Sequence, residues 1–264
     1  MKNQKGQILL ITIMLVATVL TVVLAVTFKS TTETQLTKLE EQSQKALTAA
    51  EAGIEVALQQ ELGSSVSIGS LPEFTGSGFS GQASVEALTD SKFVSPLLLK
   101  DQQYTFYLAE YPGFANPLNG YLALYLQSEA DCPALELTFL SPTNTVKRLL
   151  VDPCDKISKP DFSDLSTTTN PGGGTYSLAG YSFGYKTQYI LLGISHPLGN
   201  QAVLIARSLF ASTRVGLERI DPGNLPIQGK YVTSEAKTPS GVSRKVQLFQ
   251  SYPQIPAEFF VTSF

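Results

Sequence analysis

The chain has no tryptophan, one histidine (His196), two cysteines and two methionines in 264 residues. That leaves almost nothing for a metal site or for His-dependent catalysis. Charge is scarce too: 16% of residues are Asp, Glu, Lys or Arg, with 19 basic against 22 acidic side chains and a net charge of −3. This balance gives no global attraction to nucleic acid or to an anionic lipid surface. Glycine and proline, at 20 and 15 residues, stand near their average share, which excludes collagen-like and low-complexity polymers. What the chain does have is apolar sequence, concentrated near its N-terminus.

Ile8 to Phe28 is an uncharged run of 21 residues, flanked by Lys2 and Lys5 on one side and Lys29 on the other. As a helix it spans roughly 31 Å, enough for a bilayer core. A secretory signal peptide has a shorter apolar region and a small-x-small cleavage site, whereas here the run ends in Ala25-Val26-Thr27. The lysines predict one membrane span with the N-terminus cytoplasmic and the rest of the chain outside.

The helix is expected to continue beyond the membrane. Ser30 to Leu62 has no proline and one glycine, Gly53, and is rich in Ala, Leu, Glu, Gln and Lys. Leu36, Leu39, Leu47, Ala50, Ile54, Ala57 and Leu58 recur at helical spacing, and Glu41/Lys45 is an i,i+4 pair in the favourable order. Gly63-Ser64-Ser65 predicts the end. The expectation is a helix over 7–62, roughly 84 Å long, with 7–29 in the membrane and the remainder a stalk.

Lys5-Gly6-Gln7 followed at once by the apolar run resembles a type IV prepilin leader. Ala46-Leu47-Thr48-Ala49-Ala50-Glu51-Ala52-Gly53-Ile54-Glu55 resembles the N-terminal region of PilX-type minor pilins. The resemblance covers residues 1–62. It implies a leader over 1–6, cleavage between Gly6 and Gln7 by a prepilin peptidase, and assembly with other pilin or pseudopilin subunits through the helix. The small residues Ala49, Ala50, Ala52 and Gly53, with Ile54, would let another backbone approach closely. Glu51 and Glu55 are expected to face solvent or a neighbour. The sequence departs from major pilins at Gln7, where the family has Phe or Met, and at Ile11, where it has Glu. That Glu is thought to neutralise a neighbour's N-terminal amine, whose burial unpaired in an apolar medium is costly. Its absence suits a sparse position such as a tip or initiating complex. The alternative is an uncleaved, non-polymerising single-pass surface protein whose head binds an extracellular ligand.

Residues 63–264 break into short alternating runs separated by Gly, Pro, Asn and Ser, which predicts a β-rich head of antiparallel sheets and hence an α+β fold. Strands are expected near 82–89, 104–111, 120–127, 134–140, 146–151, 185–194, 202–210, 229–236 and 244–251. The Pro- and Gly-rich stretch 160–175 reads as a linker or long loop, giving lobes 63–159 and 176–264 that could share a sheet. Cys132 and Cys154 lie eleven residues either side of Thr143, in the turn Ser141-Pro142-Thr143-Asn144. In an antiparallel hairpin they fall opposite each other, and an extracytoplasmic location favours a disulfide contributing about 3 kcal/mol.

Tyr181, Phe183 and Tyr185 alternate along one expected strand face, suited to packing inward or to stacking on sugar rings or bases. Lys147-Arg148 and Arg244-Lys245 are isolated basic pairs, so nucleic acid is not an expected partner. Asp152, Asp155 and the acidic residues of Asp161–Asp164 have neither a histidine nor a Gly-rich phosphate loop around them. Gly172-Gly173-Gly174 lacks the Lys-Ser/Thr of a phosphate loop, and Ser195-His196 has no identifiable third member of a triad. Neither an enzyme nor a cofactor is expected.

Overall fold

The computed structural model describes residues 5–87, 89–127, 131–143, 145–157, 165–169, 172–193 and 199–256. One long helix, α1 (Lys5–Leu58), is followed by fifteen described strands in three sheets, an α+β layout. Two compact units form: residues 1–85 with 232–248, and residues 86–231 with 249–264.

In the first unit, α1 lies on a four-stranded sheet ordered β1 (Ser65–Ser67), β2 (Ser80–Ala87), β14 (Gly229–Lys237), β15 (Ser243–Ser251). The helix stops four residues before the expected Leu62. Its last turn tightens through Gln59 N–H to Val56 O (3.2 Å) and Gln60 N–H to Ala57 O (3.0 Å). Leu58, the last residue of the helix, still packs against the sheet, whereas Leu62 is exposed. Gly63, at φ +82°, then turns the chain into β1.

The second unit is two sheets packed face to face. One is ordered β3 (Lys92–Val94), β13 (Val215–Arg219), β5 (Gly120–Leu126), β10 (Tyr181–Lys186), β9 (Gly172–Leu178), with β11 (Ile190–Leu192) also on β5. The other is β4 (Gln103–Tyr107), β12 (Val203–Leu209), β6 (Ala134–Leu140), β7 (Val146–Val151), β8 (Leu165–Thr169). Their shared core takes alternate residues of the central strands: Leu122, Leu124 and Leu126 from β5 against Leu135, Leu137 and Phe139 from β6, all with 0% exposure.

The segments 63–159 and 176–264 share sheets, as the sequence left open. β5 pairs with β10, β11 and β13, and β6 pairs with β12, so both sheets join residues from before and after 160–175. Within that expected linker, residues 165–169 and 172–175 are strand; 160–164 and 170–171 lie outside the described residues. The pairings β1–β2, β3–β13, β5–β10, β5–β11, β5–β13, β9–β10, β4–β12, β6–β12 and β6–β7 are antiparallel as expected, whereas β8 runs parallel to β7. The hairpin β6–β7 has the expected register: Leu135 faces Val151 and Leu140 faces Val146. Continued outward, that register sets Cys132 opposite Cys154, and the two are disulfide-bonded with Cα atoms 6.4 Å apart.

Candidate functional site

The N-terminal part of α1 is the most unusual surface of the molecule. Every residue from Leu9 to Glu41 is exposed, including the apolar run to Phe28. By length and composition this helix can cross a membrane. The four threonines in the run each donate their hydroxyl back to the helix: Thr12 to Leu9 O (2.9 Å), Thr18 to Leu15 O (2.8 Å), Thr21 to Ala17 O (2.7 Å) and Thr27 to Val23 O (2.8 Å). Those polar groups therefore need no water, which matters in an apolar medium. Gly6 and Gln7, the expected cleavage pair, lie in the first two turns of α1.

Beyond the run, charges pair along the helix, Lys29 with Glu33 at 3.9 Å and Glu41 with Lys45 at 2.6 Å. Contact with the sheet begins where Ser240 Oγ donates to Gln42 Oε1 (3.1 Å) and Arg244 Nε to Ser43 Oγ (2.8 Å). From there Ala46, Ala49, Ala50, Gly53, Ile54 and Ala57 form a buried stripe at i, i+3, i+4 spacing. They pack on Ile68, Ala83, Val85, Val232 and Ala236. Gly53 is the closest approach: a Cβ there would sit 2.4 Å from Ile68 Cδ1 and 2.5 Å from Ser234 Oγ. The close approach expected of Ala49, Ala50, Gly53 and Ile54 is thus made to the chain's own sheet, with Ala52 half-buried at its flank. Glu51 and Glu55 point to solvent. A stripe of small residues signals a close neighbour but carries no information about which chain supplies it.

The aromatic row divides. Register slips between Phe183 and Tyr185, so the two join different clusters. Phe183 is buried with Ala123, Tyr125 and Leu178, whereas Tyr185 packs on the inter-sheet core. Tyr185 Oη lies 3.7 Å from Cys132 Sγ and 3.6 Å from Cys154 Sγ. Tyr181 is exposed, with the Arg214 guanidinium 5.0 Å over its ring.

A charged and aromatic cluster that sequence reasoning missed lies on the outer face of the β3–β13–β5–β10 sheet. Glu218 accepts the Tyr125 hydroxyl and pairs with Lys186 (3.6 Å) and Lys92 (3.5 Å). Lys186 Nζ sits 4.9 Å from the Tyr125 ring centre and 5.7 Å from that of Tyr189. Burial, then the Glu218 hydrogen bond, holds the Tyr125 hydroxyl above its usual pKa. Burial acts to lower Lys186, but its bond to Tyr125 and the charge of Glu218 outweigh that and hold it above the ordinary lysine value. No local signal could have found this site, because four strands and a bulge contribute to it.

The remaining candidates have structural roles or lie outside the described residues. Asp152 is buried, and its carboxylate caps the backbone N–H groups of Cys154 (3.3 Å) and Ile157 (2.8 Å). Gly172-Gly173-Gly174 is part of β9 rather than a loop. Asp161, Asp164, Ser195 and His196 are outside the described residues. Among the described residues, no group of three or more His, Cys, Asp or Glu side chains is placed to hold a metal ion. The chain matches no family model, no curated protein and no solved structure.

Proposed function

We propose that this chain is a minor subunit of a type IV pilus or of a related secretion filament, its precursor anchored in the membrane by α1. The observation that carries the reading is the contrast along one helix. One face of residues 46–57 is covered by the chain's own sheet, while the whole apolar run 9–28 has no cover of its own. Such a surface needs either lipid or other apolar helices, and a filament subunit uses both in turn. The leader-like Lys5-Gly6-Gln7 places processing at the cytoplasmic end, which sets the N-terminus inside and the head outside.

Assembly then exchanges lipid contacts of residues 9–28 for helix–helix packing as the subunit leaves the membrane. Ile11 stands where a filament-body subunit of this family has Glu, so this chain suits a tip or initiating position, where the head modulates assembly or adhesion. Its partners are other pilin or pseudopilin helices, the prepilin peptidase and the bilayer.

The native cysteines are paired with each other, so one added thiol reports its own neighbours. Val16→Cys carrying a thiol-attached photo-cross-linker is expected to cross-link to another pilin-type subunit in sheared filaments, while the same label on a cysteine at the exposed Lys237 does not. Absence of the chain from the filament fraction, with Val16→Cys uncross-linked in the membrane, would contradict the reading and favour a static surface protein.

A further inference from the structure

The outer face of the six-stranded sheet carries a built depression. Between Tyr185↔Leu126 and Ile190↔Leu122 the register on β5 slips by one residue. Thr187 holds this bulge, its N–H donating to Leu124 O and its Oγ1 accepting from Leu124 N–H, both at 2.9 Å. The slip brings Lys186 and Tyr189, three residues apart, onto the same outer face. There they border, with Tyr176 and Gln188, an open cavity of about 390 Å³, within the range of small-ligand sites. Tyr189 and Tyr121 stand 57% and 41% exposed, their rings edge to face at 6.1 Å.

Two properties of this depression select a ligand. Exposed tyrosine faces carry partial negative charge and attract the apolar C–H face of a pyranose ring. Beside them, two ammonium groups, Lys92 and Lys186, share the carboxylate of Glu218, so that among the described residues these three groups carry one net positive charge. A free cation is a poor match, because Lys186 already occupies the space between the Tyr125 and Tyr189 rings. We infer that this face binds an acidic saccharide, with a sugar ring stacked on Tyr189 and its carboxylate directed to Lys186 and Lys92.

The site is independent of the assembly reading, and the test separates the two, since it needs no filament. Full-length chain in detergent micelles would be titrated with three probes: a glucuronate-containing tetrasaccharide, a neutral tetrasaccharide of the same ring number, and free glucuronate. The acidic tetrasaccharide is expected to bind more tightly than the other two. Tyr189→Ala, at a side chain that is mostly exposed, should weaken it about tenfold. Lys92→Gln should abolish the preference for acidic over neutral sugar, and Val146→Ala, exposed on the other sheet, should change nothing. Equal binding of neutral and acidic probes, or binding unmoved by Tyr189→Ala, would overturn the inference. So would absence of binding by all three probes.

Discussion

The side-chain amide of Gln228 engages both backbone groups of Tyr107: Oε1 accepts from its N–H at 2.9 Å, and Nε2 donates to its carbonyl at 2.7 Å. Two residues earlier on the same strand, Gln254 Oε1 accepts from Thr105 N–H at 2.7 Å, and Ile255 N–H donates to Thr105 Oγ1 at 3.1 Å. β4 is the outermost strand of its sheet, so these glutamines occupy hydrogen-bonding positions that another strand would take. The edge is closed without a strand, which removes a template for edge-to-edge association.

Gln228→Leu keeps much of the side chain's bulk and removes both bonds, leaving the Tyr107 N–H and carbonyl without their amide partner in a buried place. A loss of about 2 kcal/mol or more is expected in urea denaturation of the full chain. The variant should also self-associate more at high protein concentration. A loss below about 0.5 kcal/mol would mean that water replaces the amide.

Gly53→Ala tests the docking of α1. On helix propensity alone alanine is better by about 1 kcal/mol, yet its Cβ would overlap Ile68 Cδ1 and Ser234 Oγ. Net destabilisation is expected, read as faster hydrogen exchange in residues 46–57, whereas Glu51→Ala on the exposed face should be near neutral. Ser234 Oγ is buried without a hydrogen-bond partner among the described residues, so Ser234→Ala alone costs little and should partly rescue Gly53→Ala. A Gly53→Ala protein as protected as wild type would remove the close-approach argument.

Replacing Cys132 and Cys154 together by alanine reopens the 22-residue separation that the disulfide closes. The expected loss is about 3 kcal/mol, the change measured by comparing denaturant midpoints under non-reducing conditions. An unchanged midpoint would mean that the β6–β7 hairpin needs no covalent closure.

Burial pushes the Tyr104 hydroxyl up to about 12, from 10 in the unfolded chain. A raised phenol pKa means the folded state holds its proton more tightly, so this contribution is complete below pH 10 and is lost as pH rises from 10 to 12. Its full size is about 2–3 kcal/mol. Tyr104→Phe should flatten the decline in stability over that interval; an identical decline in the variant would assign it elsewhere.

The long helix and the β6–β7 hairpin were legible because each rests on local pattern. An uncharged run with helical periodicity after it can only be a helix, and symmetric spacing about Thr143 fixes which residues face each other. β9 was hidden because Gly172-Gly173-Gly174 has no side chains to alternate, and β13 because it is short, with Gly216 and Glu218-Arg219 inside it. The expected strand 185–194 became β10 and β11 because the Thr187 bulge, invisible in composition, interrupts it. The sheet that covers Gly53 was out of reach for another reason. β14 begins 176 residues after Gly53, and long-range pairing leaves no mark in either segment alone.

The central claim is that α1 belongs to a processed filament subunit, and N-terminal peptide mass spectrometry on protein from its native membrane tests it most directly. The account predicts a mature terminus at Gln7, after removal of residues 1–6, and retention of the full leader when Gly6 is replaced by a charged residue. A wild-type terminus still at Met1 or Lys2 would contradict it, and the exposed run 9–28 would then be a permanent anchor.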